Sequence, residues 1–232
     1  MDNNKVIIAL DFSNVRDTMD FLNLFGEIRP FVKIGMELFY AEGAGIVKVL
    51  RARGHKIFLD LKLHDIPNTV KKTMRVLSAY GVDMVNLHAT GTKAMMTSAL
   101  EGATRPDGSR PAILAVTQLT STNEEVMQRE LLISATMEET VIKYAGNAKE
   151  AGLDGVVCSP WEANKVHNAC GNNFLTVTPG IRFADSGVDD QSRIAPPDKA
   201  KQMGCDYIVV GRPITQAQDP VNAYLRCINE FK

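Results

Sequence analysis

The feature that most constrains this chain is an alternation. Short apolar runs recur between longer amphipathic stretches along its whole length. Eight runs read as strands: Val6–Phe12, Phe31–Met36, Lys56–Leu63, Met84–Ala89, Ala112–Gln118, Gly155–Ser159, Leu175–Thr178 and Tyr207–Gly211. Several are apolar throughout rather than at every second position. That pattern suits strands covered on both faces, as in a parallel sheet. The stretches between them carry helical periodicity. Val15–Phe25 follows the N-cap candidate Asn14, Leu38–Arg53 is closed by Gly54, and Val70–Tyr80 is closed by Gly81. Lys93–Leu100, Glu138–Ala151, Trp161–Ala169, Asp198–Met203 and Pro220–Phe231 complete the set.

Strands alternating with helices build right-handed βαβ units. Eight such units in 232 residues predict an α/β fold, a (β/α)8 TIM barrel forming a single domain over 1–232. A doubly wound open sheet is the second arrangement, because closure leaves no mark on a sequence. No linker, low-complexity segment or close repeat divides the chain. Two segments are irregular, Arg105–Arg110 and Phe183–Pro197. The second follows the seventh strand and is long for such a connection, which predicts a lid.

Charge and cysteine usage narrow the function. A formal net charge of −1 provides no global field for nucleic acid or an anionic membrane. A small anionic ligand would therefore need a local basic site. The run Val6–Leu10 is short and ends at Asp11, so no signal peptide is expected. Nothing approaches the ~20 apolar residues of a membrane span. Cys158, Cys170, Cys205 and Cys227 are scattered and read as free thiols of a reducing compartment. The default location is the cytoplasm.

The strongest local signal is Asp60-Leu61-Lys62-Leu63-His64-Asp65-Ile66-Pro67. Residues two apart in a strand share a face, so Asp60 and Lys62 should both point into the barrel. Asp11 ends the first strand and Lys33 lies in the second. Isolated buried charges are costly, and alternating Asp and Lys neutralise one another. For any one of them, an ion pair that only stabilises the barrel mouth is the plain alternative.

The second signal is Thr178-Pro179-Gly180-Ile181-Arg182 after the seventh strand and Val210-Gly211-Arg212 after the eighth. Loops at these two places are the recurrent phosphate site of such barrels. Glycine lets the backbone approach an anion and arginine adds bidentate charge. A third segment, Thr117-Gln118-Leu119-Thr120-Ser121, offers hydroxyls that could read the amide edge of a base, although ordinary turn chemistry explains it equally. The four histidines lack metal-ligand spacing, and no Gly-x-Gly-x-x-Gly follows a strand. His88 fits a supporting role at the site. Trp161 and Met95-Met96 fit packing.

The same residues resemble a known family. Asp60-Leu61-Lys62-Leu63-His64-Asp65 is similar to the Asp-x-Lys-x-x-Asp signature of the orotidine 5′-monophosphate decarboxylase family. Ala9-Leu10-Asp11, Val32-Lys33-Ile34-Gly35, Gln118-Leu119-Thr120-Ser121 and the two Gly-containing phosphate segments extend the likeness over essentially the whole chain. The resemblance implies cofactor-independent decarboxylation of orotidine 5′-monophosphate to uridine 5′-monophosphate, in pyrimidine biosynthesis and without a metal. Lys62, Asp60, Asp65 and Lys33 would form the catalytic set, with Lys62 as proton donor and Asp60 against the leaving carboxylate. Lys33 and Asp11 would hold the ribose hydroxyls, and Thr120 and Ser121 would meet the base. Pro179, Arg182, Gln191, Gly211 and Arg212 would surround the phosphate, with Gln191 on the closing lid. Asp65, Ile66 and Thr69 would reach into a partner subunit's site, making a homodimer with composite sites. The core signature is shared with magnesium-dependent sugar-phosphate lyases of the same superfamily. Those have a carboxylate where this chain has Lys33, which favours the nucleotide enzyme. An inert phosphate-ligand binding protein is the remaining alternative.

Overall fold

The strands close on themselves. A computed structural model describes residues 5–184 and 194–232. Its strands are β1 (Val6–Leu10), β2 (Phe31–Ile34), β3 (Ile57–Leu63), β4 (Met84–His88), β5 (Ala112–Val116), β6 (Gly155–Val157), β7 (Leu175–Thr178) and β8 (Tyr207–Val210). All are parallel, each pairs with the next, and β8 pairs back onto β1. The predicted (β/α)8 barrel is therefore the fold, and the open sheet is excluded. The helices are α1 (Val15–Asn23), α2 (Met36–Glu42), α3 (Gly45–Ala52), α4 (Pro67–Ala79), α5 (Thr92–Ala103), α6 (Glu124–Glu130), α7 (Met137–Glu150), α8 (Ala163–Cys170), α9 (Pro197–Gln202), α10 (Arg212–Thr215) and α11 (Pro220–Glu230).

Three helical assignments differ from the sequence reading. Leu38–Arg53 is two helices, α2 and α3, because the chain turns at Gly43 with φ 62°. Two short helices, α6 and α10, lie where loops were expected. Asn123 caps α6 by accepting the Val126 N–H, a signal visible in Asn123-Glu124-Glu125.

Strand residues alternate between two cores. Val6, Ile8 and Leu10 of β1, with Val32, Ile34, Ile57 and Leu59 of β2 and β3, belong to the apolar layer shared with the helices. Ile7, Ala9, Phe31, Phe58, Met84, Leu114, Val177 and Val209 form a separate apolar plug in the barrel interior. Two residues further along the same inward faces, the side chains change character: Ala9 leads to Asp11, Phe31 to Lys33, Phe58 to Asp60 and Met84 to Asn86. The period of two that fills the barrel thus also delivers polar groups to its carboxyl end. A large apolar side chain contributes about 1.5–3 kcal/mol when buried. An unpaired buried polar group costs about as much. The groups above the plug must therefore pair with one another.

The opposite end of the barrel is tied by a short device that recurs three times. Gly81-Val82-Asp83, Gly152-Leu153-Asp154 and Gly204-Cys205-Asp206 each close a helix and enter a strand. The glycines take φ of 72°, 84° and 83°, the left-handed turn that suits a residue without Cβ. Each aspartate accepts a backbone N–H from the preceding strand: Ile57 at 2.8 Å, Ile113 at 2.7 Å and Thr176 at 2.9 Å. Each also pairs with a basic side chain, Arg51, Arg110 and His167 respectively. Asp154→Ala is expected to leave turnover unchanged and destabilise the fold. Loss of a charged acceptor costs about 1.5–3 kcal/mol, which for a chain of this size is roughly 4–10 °C in Tm. Thermal melting with parallel assays checks this, and a Tm within about 1 °C of wild type contradicts it.

Candidate active site

At the carboxyl end of the barrel four charges form a chain. The Asp11 carboxylate accepts from Lys33 Nζ at 3.2 Å, and the same ammonium lies 3.4 Å from Asp60 Oδ2. The other Asp60 oxygen accepts from Lys62 Nζ at 2.6 Å. Burial increases inward: the Asp11 side chain is 63% exposed, that of Lys62 26%, and those of Lys33 and Asp60 only 12% and 10%. Burial alone would push the Lys33 ammonium to lower pKa, but the charges of Asp60 and Asp11 outweigh it and hold it above its usual value. For Asp60 burial pulls upward, and the charges of Lys33 and Lys62 with hydrogen bonds from Lys62 and Asn86 bring its pKa below the usual carboxylate range. The inner pair therefore stays fully charged at neutral pH.

Lys62 does not arrive by strand alternation alone. Its φ is 49°, and the β3–β4 register shifts between Leu59 and Leu63. Asn86 of β4, 1% exposed, spans this irregularity. Its Oδ1 accepts the Lys62 backbone N–H at 2.8 Å, and its Nδ2 donates to Asp60 Oδ1 at 2.6 Å.

Two recesses adjoin this chain of charges. One, about 320 Å³, is lined by Lys33, Asp60, Lys62 and Asn86 on one side and by Gln118, Thr120 and Ser121 on another. The buried Gln118 Nε2 has no hydrogen-bond partner among the described residues. The second, about 210 Å³, is lined by Asp11, Lys33, Pro179, Gly180, Arg182, Gly211 and Arg212. Lys33, Pro179 and Val209 border both. A larger recess of about 780 Å³ lies at the other end of the barrel, around Lys5, Arg29, Tyr224 and Phe231. Size does not make it the site, since its charged side chains, Lys5, Arg29, Lys201 and Lys232, are all basic and face no carboxylate side chain in its lining.

The loop after β7 leaves and returns side by side. Arg182 N donates to Ala195 O at 3.2 Å and Ala195 N to Gly180 O at 3.1 Å. Residues 185–193 of the expected lid, Gln191 among them, lie outside the described residues. Asp65, Ile66 and Thr69 are exposed and border neither recess, with Ile66 67% exposed. The Asp65 carboxylate accepts the Ile66 N–H at 2.7 Å as the chain enters α4. Among the described residues no three His, Cys, Asp or Glu side chains are grouped to hold a metal ion.

The chain as a whole is matched by known proteins. The family model described as "Orotidine 5′-phosphate decarboxylase / HUMPS family" matches residues 4–227. The chain belongs to this decarboxylase family. An orotidine 5′-phosphate decarboxylase from Geobacillus sp. (strain WCH70) is 53% identical over 99% of this chain and 98% of its own length. One from Bacillus cereus (strain 03BB102) is 54% identical over 94% and 93%. The crystal structure of orotidine 5′-phosphate decarboxylase from Lactobacillus acidophilus superposes with a TM-score of 0.87 at 44% identity, covering 98% of both chains.

Within this decarboxylase-family barrel, sequence reasoning passed over Asn86 and gave Gln118 no role of its own. Both were accessible to the rule that placed Asp60. Asn86 lies two residues beyond the inward Met84, and Gln118 four beyond the inward Leu114. Attention at β4 went instead to His88, which stands half-buried with its ring centroid 5.7 Å from that of His64. Burial, then the charges of His64 and Lys62, hold the His88 pKa below its usual value.

Proposed function

We propose that this chain decarboxylates orotidine 5′-monophosphate to uridine 5′-monophosphate, with the pyrimidine in the larger of the two adjoining recesses and the phosphate in the smaller. The observation that carries the reading is the run Asp11–Lys33–Asp60–Lys62 bordering both recesses. The bond from C6 to the carboxylate carbon breaks, carbon dioxide leaves, and the electron pair stays on C6. Lys62, as a cation beside C6, stabilises that charge and then transfers a proton to it. Asp60 faces the departing carboxylate and raises the ground state by repulsion, a smaller contribution than stabilisation of the carbanion. Lys33 and Asp11 hold the ribose hydroxyls.

Thr120, Ser121 and Gln118 Nε2, which has no partner among the described residues, face the polar edge of the base. Pro179, Arg182, Gly211 and Arg212 surround the phosphate, and Gln191, outside the described residues, is a further phosphate ligand of the proposal. Phosphate binding energy, realised far from C6, organises the charges around the reacting bond. Asp65, Ile66 and Thr69, exposed beside their own site, serve the site of a second copy in a homodimer. No described helix is long and apolar enough to cross a membrane, and the proposed location is the cytoplasm.

Lys33 favours this reading over a magnesium-dependent sugar-phosphate lyase, because it puts a cation where such an enzyme would need a metal-binding carboxylate. The test is loss of ultraviolet absorbance when orotidine 5′-monophosphate meets chelator-treated protein. Turnover is expected to survive chelation. No turnover of orotidine 5′-monophosphate, with chelator-sensitive and magnesium-restored turnover of a sugar phosphate, would assign the lyase, and saturable binding without turnover of either would assign an inert binding protein.

A further inference from the structure

We infer that Asn86 is a positioning residue, whose side-chain amide holds Lys62 in its left-handed backbone conformation and aims the ammonium over the site. The inference rests on the decarboxylase reading for its kinetic consequence and on geometry for the rest.

A lysine at φ 49° is unusual, since Cβ crowding disfavours positive φ for residues other than glycine. Such strain persists only when surrounding contacts over-determine it. Here the ladder between β3 and β4 is interrupted between Leu59 and Leu63. The freed Lys62 N–H would lack a partner, and Asn86 Oδ1 supplies one at 2.8 Å. The other end of the same amide donates to Asp60 Oδ1, the oxygen that also accepts from Lys62 Nζ. One planar group therefore clamps both ends of Lys62, its backbone directly and its ammonium through Asp60.

The amide is specific for this task. A carboxylate at the position could accept from Lys62 N but could not donate to Asp60 unless protonated. An apolar side chain could do neither. The titratable groups lining the same recess are Asp60 and Lys62 of β3, Lys33 of β2 and the Cys158 thiol just past β6, with His88 two residues further along β4. Asp60 and Asn86 are the fixed points, because both are buried and hydrogen-bonded.

Two variants test this, Asn86→Ala and Asn86→Asp, each measured for kcat, KM and the pH dependence of kcat. Asn86→Ala is expected to lose roughly 10²-fold or more in kcat, the scale of a small displacement of a reacting group, with KM changed only a few-fold. Asn86→Asp is expected to work best at low pH, where a proton shared with Asp60 replaces the lost donor. Its kcat falls, relative to wild type, as that proton is released and two carboxylates face each other. If Asn86→Ala fails to fold, the nearly isosteric Asn86→Asp carries the test. A kcat within about threefold of wild type in Asn86→Ala, or an Asn86→Asp profile parallel to wild type, overturns the role. Absence of wild-type turnover in the same assay refutes the decarboxylase reading instead. The role then stands or falls on a crystal structure of Asn86→Ala, in which Lys62 should leave positive φ and its Nζ should leave Asp60. A Lys62 that stays in place overturns it.

Discussion

Lys62→Ala is expected to abolish turnover while leaving a folded barrel. The proposed reaction asks two things of this side chain, a positive charge beside C6 and a proton for it. General acid chemistry alone is worth about 10²–10⁴-fold. Removing one preorganised electrostatic partner costs roughly another 10²–10³-fold. The two losses fall on one group, so the combined deficit should exceed about 10⁴-fold in kcat. Folding should survive for a local reason. Asp60 keeps Lys33 at 3.4 Å and the Asn86 amide at 2.6 Å, so its charge is not left uncompensated. The backbone N–H of residue 62 also keeps its bond to Asn86 Oδ1, so the irregular end of β3 stays tied. Stopped-assay kinetics with circular dichroism measure both halves, and near-normal turnover by a folded variant would remove Lys62 from the chemistry.

The second large effect is a recovery rather than a loss. Asp65→Ala is expected to be nearly inactive alone, as is Lys62→Ala. Asp65 lies three residues past Lys62, exposed, at the point where β3 gives way to α4. If it serves a partner's site, a mixed dimer collects both lesions in one site and neither in the other. Random reassortment makes half the dimers mixed, so activity should return to about a quarter of wild type under two-fold symmetry. The two inactive variants are dissociated together, reassembled and assayed. Activity that stays near zero although subunits demonstrably exchange would assign Asp65 to its own chain's site.

Much of the architecture was legible in the apolar pattern. The eight runs marked the eight strands because strands covered on both faces must be apolar throughout, and a period of two separated inward from outward positions within them. Where the reading failed, the cause was local. Leu38–Arg53 has continuous helical periodicity, yet Gly43 turns the backbone to φ 62° and splits it. The Gly-x-Asp triplets are too short to register as repeats. Their common role shows only when each aspartate is seen on the N–H of the strand before it.

The candidate site divides in the same way. Residue type and spacing along the chain were enough to single out Asp11, Lys33, Asp60 and Lys62, because charged residues in otherwise apolar strands are costly unless they face one another. The Gly-Arg segments after β7 and β8 were equally visible, since the fold class says where anions bind. Three things were decided only by the closed barrel. It set which carboxylate oxygen meets which lysine, and it joined the two recesses through Lys33. It also brought Asn86 across from β4 to pin the irregular end of β3. A sequence carries the period of each strand but not the register between strands. Hydrogen bonds of the Asn86 side chain to groups 24 and 26 residues away depend on that register alone.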